Sequence, residues 1–247
     1  MNRLDKDWIK FYNKTAYARE QANEFGPIKI IGNSGSAVWI DTVISKLKNG
    51  MKLLDIGCGT GKHLRKIYMT TKKKVKMIGI DISPDMIEIA KNKSKGMKNL
   101  KFFTMDAYKT KFRSNYFDII INRLGTRSHD EVFRILKKGG YYLLFVTDEN
   151  DWKEMVKLFD FKKLYIIKIY KDELKKAGFK IIRIKKYSSK EYYKDEESLA
   201  KMLSIVPFKP VFDRKKHLGK LKKYAKTHMA RFGIKSSHKR IIIICKK

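Results

Sequence analysis

The spacing of apolar residues changes several times along the chain, and each change marks an element. Over residues 4–24, Trp8, Phe11, Tyr12 and Ala16 recur at helical spacing and predict a first helix. Turn formers follow at Gly26-Pro27 and at Gly32-Asn33-Ser34-Gly35-Ser36, before a second helix over about 37–48 that Asn49-Gly50 ends. From there the pattern becomes regular. Apolar runs at 51–56, 75–82, 100–104, 117–122 and 141–147 predict five strands. Helical patterns lie between them at about 61–70, 84–93 and 128–138, the second with Ser83 as N-cap and Pro84 at its first position. Past residue 147 the pattern predicts a helix at 151–158, a short strand at 164–169, a helix at 171–177 and a strand at 179–187. A helical stretch over 195–231 and a last apolar strand at 241–245 complete it.

Strands that alternate with helices, each apolar enough to be buried on both faces, imply an α/β fold with a doubly wound, mostly parallel sheet. The division expected is a helical cap (1–50), a core (51–187), a basic helical insert acting as a lid (188–238) and a final core strand (239–247). No apolar run reaches the roughly 18 residues that span a bilayer, and the N-terminus lacks a signal-peptide core, so a cytoplasmic protein without a membrane partner is expected. The two cysteines, Cys58 and Cys245, support neither a disulfide framework nor a cysteine-rich metal site.

The net charge is +33, and it is unevenly spread. Residues 171–247 carry 24 basic and 7 acidic side chains, and beyond Ser198 the only acid is Asp213. Richness in Lys, Ile, Asn and Tyr also follows from an AT-rich genome, but a concentrated positive field attracts polyanions. Lysines beside Tyr192, Tyr193, Phe208, Phe212 and Tyr224 would suit an RNA backbone and unstacked bases. The competing reading is a solvated charged face over buried aromatics. On the predicted helix at 214–226, Leu218, Leu221 and Ala225 share the apolar face.

The segment Leu53-Leu54-Asp55-Ile56-Gly57-Cys58-Gly59-Thr60-Gly61 is the most informative. A buried strand ends, three glycines alternate and a helix opens, which is where open α/β sheets hold nucleotides. A dinucleotide fingerprint needs glycine at the sixth position of this turn, and Lys62 stands there; no phosphate-binding Gly-Lys-Ser/Thr follows either. Asp81 ends the second strand, twenty residues after Gly61, where an acid can accept both ribose hydroxyls; Asp106, after the third strand, can take an adenine amino group. Asp81 as a helix-capping acid and Asp106 as a turn residue are the structural alternatives.

This arrangement resembles the class I S-adenosylmethionine-dependent methyltransferases. Asp55, Gly57, Gly59 and Gly61 match their motif I, Asp81 their motif II acid and Asp106 their adenine-binding acid. Ile135-Leu136-Lys137-Lys138-Gly139-Gly140 resembles the turn before their fifth strand, with Lys138 in place of a proline. The likeness covers about residues 10–187 and makes 241–245 the family's antiparallel last strand. It implies a seven-stranded Rossmann-like sheet and S-adenosylmethionine as cofactor, with S-adenosylhomocysteine as product. The implied cofactor-binding set is Asp55, Gly57, Cys58, Gly59, Gly61, Asp81, Ile82, Asp106, Ala107 and Asn122, with Asp55 facing the methionine amino group and no metal involved.

The end of the fourth strand, where this class meets its acceptor, reads Asn122-Arg123-Leu124-Gly125-Thr126-Arg127-Ser128-His129. It lacks the Asn/Asp-Pro-Pro-Tyr signature of base-amine methylation, and no cysteine stands nearby for covalent attack on cytosine. The catalytic candidates are Asn122 and Arg123, which could position an acceptor, and His129 as a base; Arg123 or Arg127 could hold a phosphate or carboxylate. Alternatively, Ser128 caps a helix and His129 lies exposed on its first turn. The acceptor is therefore either RNA, bound by the basic C-terminal segment, or a small molecule enclosed by the insert and the N-terminal helix.

Overall fold

The computed structural model describes residues 6–162 and 167–247. Its helices are α1 (Lys6–Glu20), α2 (Ala22–Phe25), α3 (Ser36–Lys46), α4 (Lys62–Thr70), α5 (Pro84–Asn92), α6 (His129–Ile135), α7 (Lys153–Leu158), α8 (Ile167–Lys176), α9 (Glu196–Ile205) and α10 (Arg214–His228). The strands are β1 (Lys29–Gly32), β2 (Lys52–Ile56), β3 (Lys76–Asp81), β4 (Leu100–Thr104), β5 (Phe117–Arg123), β6 (Leu136–Thr147), β7 (Lys180–Tyr193), β8 (Met229–Ala230) and β9 (Gly233–Lys246).

One sheet joins them in the order β1-β7-β9-β6-β5-β2-β3-β4, with β8 pairing β9. Strands β2 to β6 run parallel to one another, and β9 enters antiparallel between β6 and β7. The doubly wound core and the antiparallel last strand are as the pattern predicts. The described residues form nine strands rather than seven, because β1 and β8 are short additions whose apolar content is too small to register as strands.

Side chains alternate across each strand, so the sheet has two apolar faces. Leu53, Ile119, Ile121, Leu143 and Phe145 pack under α3, α4 and α5, while Leu54, Ile56, Ile120, Tyr142 and Leu144 pack against α6 and α8. Fully burying each such side chain stabilises the fold by about 1.5–3 kcal/mol. A third apolar cluster joins α7, α9 and α10 through Trp152, Phe159, Leu203, Phe208, Phe212, Leu221 and Tyr224.

Several boundaries differ from the sequence pattern. Strand β6 starts at Leu136, inside the predicted helix 128–138, since Leu136 already pairs with Phe117. Strands β7 and β9 outrun their predicted ends and pair from Lys180 with Lys246 to Tyr193 with Ile234. Their distal halves are rich in Lys and Ser and so lack the apolar signal of a buried strand. The chain between them is shorter than predicted, residues 194–232 rather than 188–238. Of the strand predicted at 164–169, residues 167–169 belong to α8, and 164–166 lie outside the described residues. Ser83 caps α5 as expected, its Oγ accepting from the Met86 amide at 3.2 Å.

Among the described residues no helix is long and apolar enough to cross a membrane.

Candidate active site

A cavity of about 270 Å³ opens over the carboxyl ends of β2, β3 and β5. Asp55, Gly57, Cys58, Gly59, Asp81, Ile82, Asp106 and Ala107 line it, as does Arg123. Gly61 and Asn122 do not. Gly61 sits at the N-terminus of α4 against Phe102 and Ala90, serving helix–sheet packing. Asn122 follows Ile120 on the opposite face of β5; its Nδ2 donates to the Ile56 carbonyl at 2.7 Å, and its Oδ1 accepts from Arg127 at 2.8 Å. Its amide ties the loop after β5 to β2.

His129 corrects both readings of it. Ser128 does cap α6, accepting from the Glu131 amide at 3.3 Å, but His129 is buried rather than exposed and lies outside the cavity. It packs edge-on to Tyr142 and reaches Glu173 at 3.5 Å. Burial, reinforced by Arg127, pushes its imidazole down to about 3, so it is neutral at physiological pH. Buried outside the cavity lining, it is not placed to act as a base there.

Three carboxylates line the cavity around the glycine turn. Asp81 accepts from the Gly59 amide at 2.9 Å and from the Ser83 amide at 3.0 Å, so it holds the turn rather than capping the helix. Burial raises its carboxyl nonetheless. Asp106 accepts from the Tyr108 amide at 2.9 Å in the turn after β4. Asp55 is 3% exposed, and its Oδ1 is buried without a hydrogen-bond partner. Burial first, then the Asp81 charge, push its carboxyl up to about 8, against the pull of Arg123.

A carboxyl raised this far binds its proton more tightly in the folded than in the unfolded chain. The native state therefore loses stability as pH rises from the ordinary carboxylate range towards 8, by up to about 1.4 kcal/mol per pH unit. Asp55→Asn removes this term. Between pH 5 and 8 the Tm of the ligand-free wild type is expected to fall more steeply than that of the variant, and parallel melting curves would contradict the assignment.

Residues outside the predicted cofactor set also line the cavity. Tyr12 and Arg19 of α1 line it with Ala22, and so does Ile205 at the end of α9. Arg19 packs over the Phe11 and Tyr12 rings and donates to the Ile205 carbonyl, linking α1 to α9. Glu20 pairs with buried Arg65 of α4 at 2.7 Å, and Ser83 bonds Asn13 at 2.5 Å. Tyr12 and Arg19 stand seven residues apart, two turns along one face, which is the only sequence signal for the pair. His63, in the first turn of α4, also lines the wall.

The aromatic half of the RNA reading is corrected here. Tyr192, Tyr193, Phe208, Phe212 and Tyr224 are all buried, so none offers a face to a base. Helix α10 packs inward through Leu221, Tyr224 and Ala225, whereas Leu218 stays 38% exposed. Among its basic residues, Arg214 pairs with Glu197 and Lys220 with Asp160, both at 2.5 Å.

The model of a methyltransferase-domain family matches residues 47–234, three quarters of the chain. The chain belongs to that family. It is a class I S-adenosylmethionine-dependent methyltransferase. The demethylmenaquinone methyltransferase of Staphylococcus aureus (strain MRSA252) is 31% identical over 129 residues, covering 49% of this chain and 54% of that one. That of Staphylococcus saprophyticus is 30% identical over 129 residues, 49% and 55% of the two chains. The chain thus spans about half the length of the curated relatives it matches. Among solved structures, the (4+2)-cyclase SpnF superposes with a TM-score of 0.64 at 17% identity, over 96% of this methyltransferase and 94% of the cyclase. The YcgJ protein of Bacillus subtilis gives 0.61 at 19% identity, over 85% and 98%. At these identities the likeness is one of fold, and a fold shared with a cyclase does not by itself fix the chemistry.

Proposed function

We propose that this methyltransferase acts on a small-molecule acceptor enclosed beneath α1 and α9. The observation that carries the reading is the roof: Tyr12, Arg19 and Ile205 line the cavity from α1 and α9, while the aromatic residues of the C-terminal segment are buried in the core rather than offered to a base. The relatives support it, since the acceptor in their name, demethylmenaquinone, is a small molecule. The RNA alternative keeps only the charge of the C-terminal third.

The residues present fit S-adenosylmethionine. The buried, unpartnered Oδ1 of Asp55 can accept from the methionine ammonium, and the space beside Gly59 is open but for the Met86 sulfur at 3.9 Å. In this reading Asp81 takes the ribose hydroxyls and Asp106 the adenine amino group, with the Ile82 and Ala107 backbone beside them. The bound sulfonium supplies an activated methyl group, so the protein's task is to orient the acceptor and exclude water.

Incubation with tritiated-methyl cofactor, offered total RNA and a small-metabolite extract separately, tests the reading. Label is expected in the metabolite fraction; label confined to RNA would overturn it.

A further inference from the structure

Asp55 and Arg123 stand on adjacent strands in the wall of the cavity. On β2, Asp55 is level with Ile121 of β5, and Arg123 follows one pleat later on the same face. Each feels the other's charge, yet no hydrogen bond or ion pair joins them. The Oδ1 of Asp55 and the Nε of Arg123 are both sealed from solvent without a hydrogen-bond partner. Leaving a buried acid and a buried base unmet is costly, and a ligand that meets both removes the cost.

The other charges near Arg123 are committed elsewhere. Arg240 of β9 pairs with Asp151, and Glu191 of β7 reaches His238 at 3.4 Å and accepts from the Tyr193 hydroxyl at 3.3 Å. The Arg123 guanidinium lies over the Phe145 ring at 4.9 Å, which leaves its N–H edge for a ligand. Its backbone is fixed to the glycine turn on both sides. Asn122 donates to the Ile56 carbonyl at 2.7 Å, and the Leu124 amide donates to the Phe145 carbonyl at 2.9 Å. Gly125 packs so closely on Gly57 that a Cβ on Gly57 would lie 3.2 Å from the Gly125 Cα.

The remaining basic side chains of the cavity are engaged or neutral. Arg19 donates to the Ile205 carbonyl, Lys62 reaches the Glu20 carbonyl at 3.5 Å, and burial keeps the His63 imidazole neutral. The ammonium and carboxylate of an amino acid hang from one carbon. A cofactor ammonium at Asp55 therefore carries its carboxylate to whatever cation stands beside Asp55, and that cation is Arg123.

We propose that Arg123 holds the carboxylate of the cofactor's methionine end in its guanidinium fork, and that Asp55 and Arg123 together select a nucleoside carrying an intact amino acid. This rests on the cofactor reading above, and it assigns Arg123 to the cofactor instead of to the acceptor.

Calorimetry on the full chain tests it with S-adenosylhomocysteine, its analogue with hydrogen in place of the carboxylate, and 5′-methylthioadenosine, which lacks the amino-acid end. Wild type is expected to bind S-adenosylhomocysteine about 10- to 100-fold more tightly than the decarboxylated analogue. Arg123→Gln is expected to reduce that preference to about threefold or less and to leave methylthioadenosine affinity within about threefold of wild type. Arg123→Lys, which keeps the charge but loses the fork, should retain part of the preference, and Tm reports whether each variant folds. Equal affinity of the wild type for the first two ligands would overturn the assignment without any variant. So would an Arg123→Gln protein that binds all three ligands more weakly by the same factor, the mark of a merely structural role. A variant that keeps the preference but loses methyl transfer to a small-metabolite extract would also overturn it and give Arg123 to the acceptor. Should the wild type bind none of the three, the cofactor reading beneath would fall.

Discussion

Replacing Gly61 by alanine is expected to destabilise the protein by about 2–5 kcal/mol. Two costs add. The residue has φ 75°, where a side chain is strained, and a Cβ there would lie 2.6 Å from the Phe102 ring and 3.2 Å from Ala90. Phe102 of β4 is itself buried in the core, so it has little room to yield. For a chain of this size the penalty corresponds to a Tm lower by roughly 5–15 °C. Gly59→Ala is the informative companion. Its φ is 53° but only the Met86 sulfur lies within 4 Å, so its effect on Tm should be smaller and its effect on cofactor affinity larger. Shortening the clashing ring with Phe102→Leu should recover part of the loss in Gly61→Ala, measured as a favourable coupling in a double-mutant cycle. Equal Tm values for the two glycine variants would mean that Gly61 is not a packing residue.

Asp81→Asn is expected to weaken S-adenosylhomocysteine binding by about 10- to 100-fold, the value of charge-assisted hydrogen bonds of about 1.5–3 kcal/mol. Asparagine keeps the shape and one oxygen that can still accept from the Gly59 amide, but its Nδ2 then faces the Ser83 amide, so some loss of Tm is expected beside the loss of affinity. Calorimetry on the variant reads this directly. Unchanged affinity would restrict Asp81 to holding the turn.

How much of this was legible in the sequence differs by element. The parallel core was plain because β2, β3 and β5 are buried on both faces and read as continuous apolar runs. Strands β7 and β9 were shortened because the residues that their distal halves bury include Ser189, Ser236 and His238, set between lysines, so pairing and burial there leave little apolar trace. That Asp55, Asp81 and Asp106 meet at one cavity was legible from their places at or just past the ends of successive strands. Asn122 misled because a strand's period of two sends it to the face opposite Arg123. His129 misled because a single histidine beside a capping serine looks the same whether it points outward or into a core. The aromatic residues near the basic helix were ambiguous for a related reason: composition places lysine beside tyrosine but does not say which of them faces water. That the N-terminal helix and the insert meet over the cavity was expected, but the contact between them was beyond reach, since it joins Arg19 and Ile205, 186 positions apart, through a side chain and a carbonyl.

The account depends most on where the adenosyl group sits. A crystal structure of the chain with S-adenosylhomocysteine measures this directly. The ribose hydroxyls are expected within hydrogen-bond distance of Asp81, the adenine amino group beside Asp106 and the ammonium at Asp55. A nucleoside seated elsewhere on the chain, with residues 57–61 out of contact with it, would contradict the account.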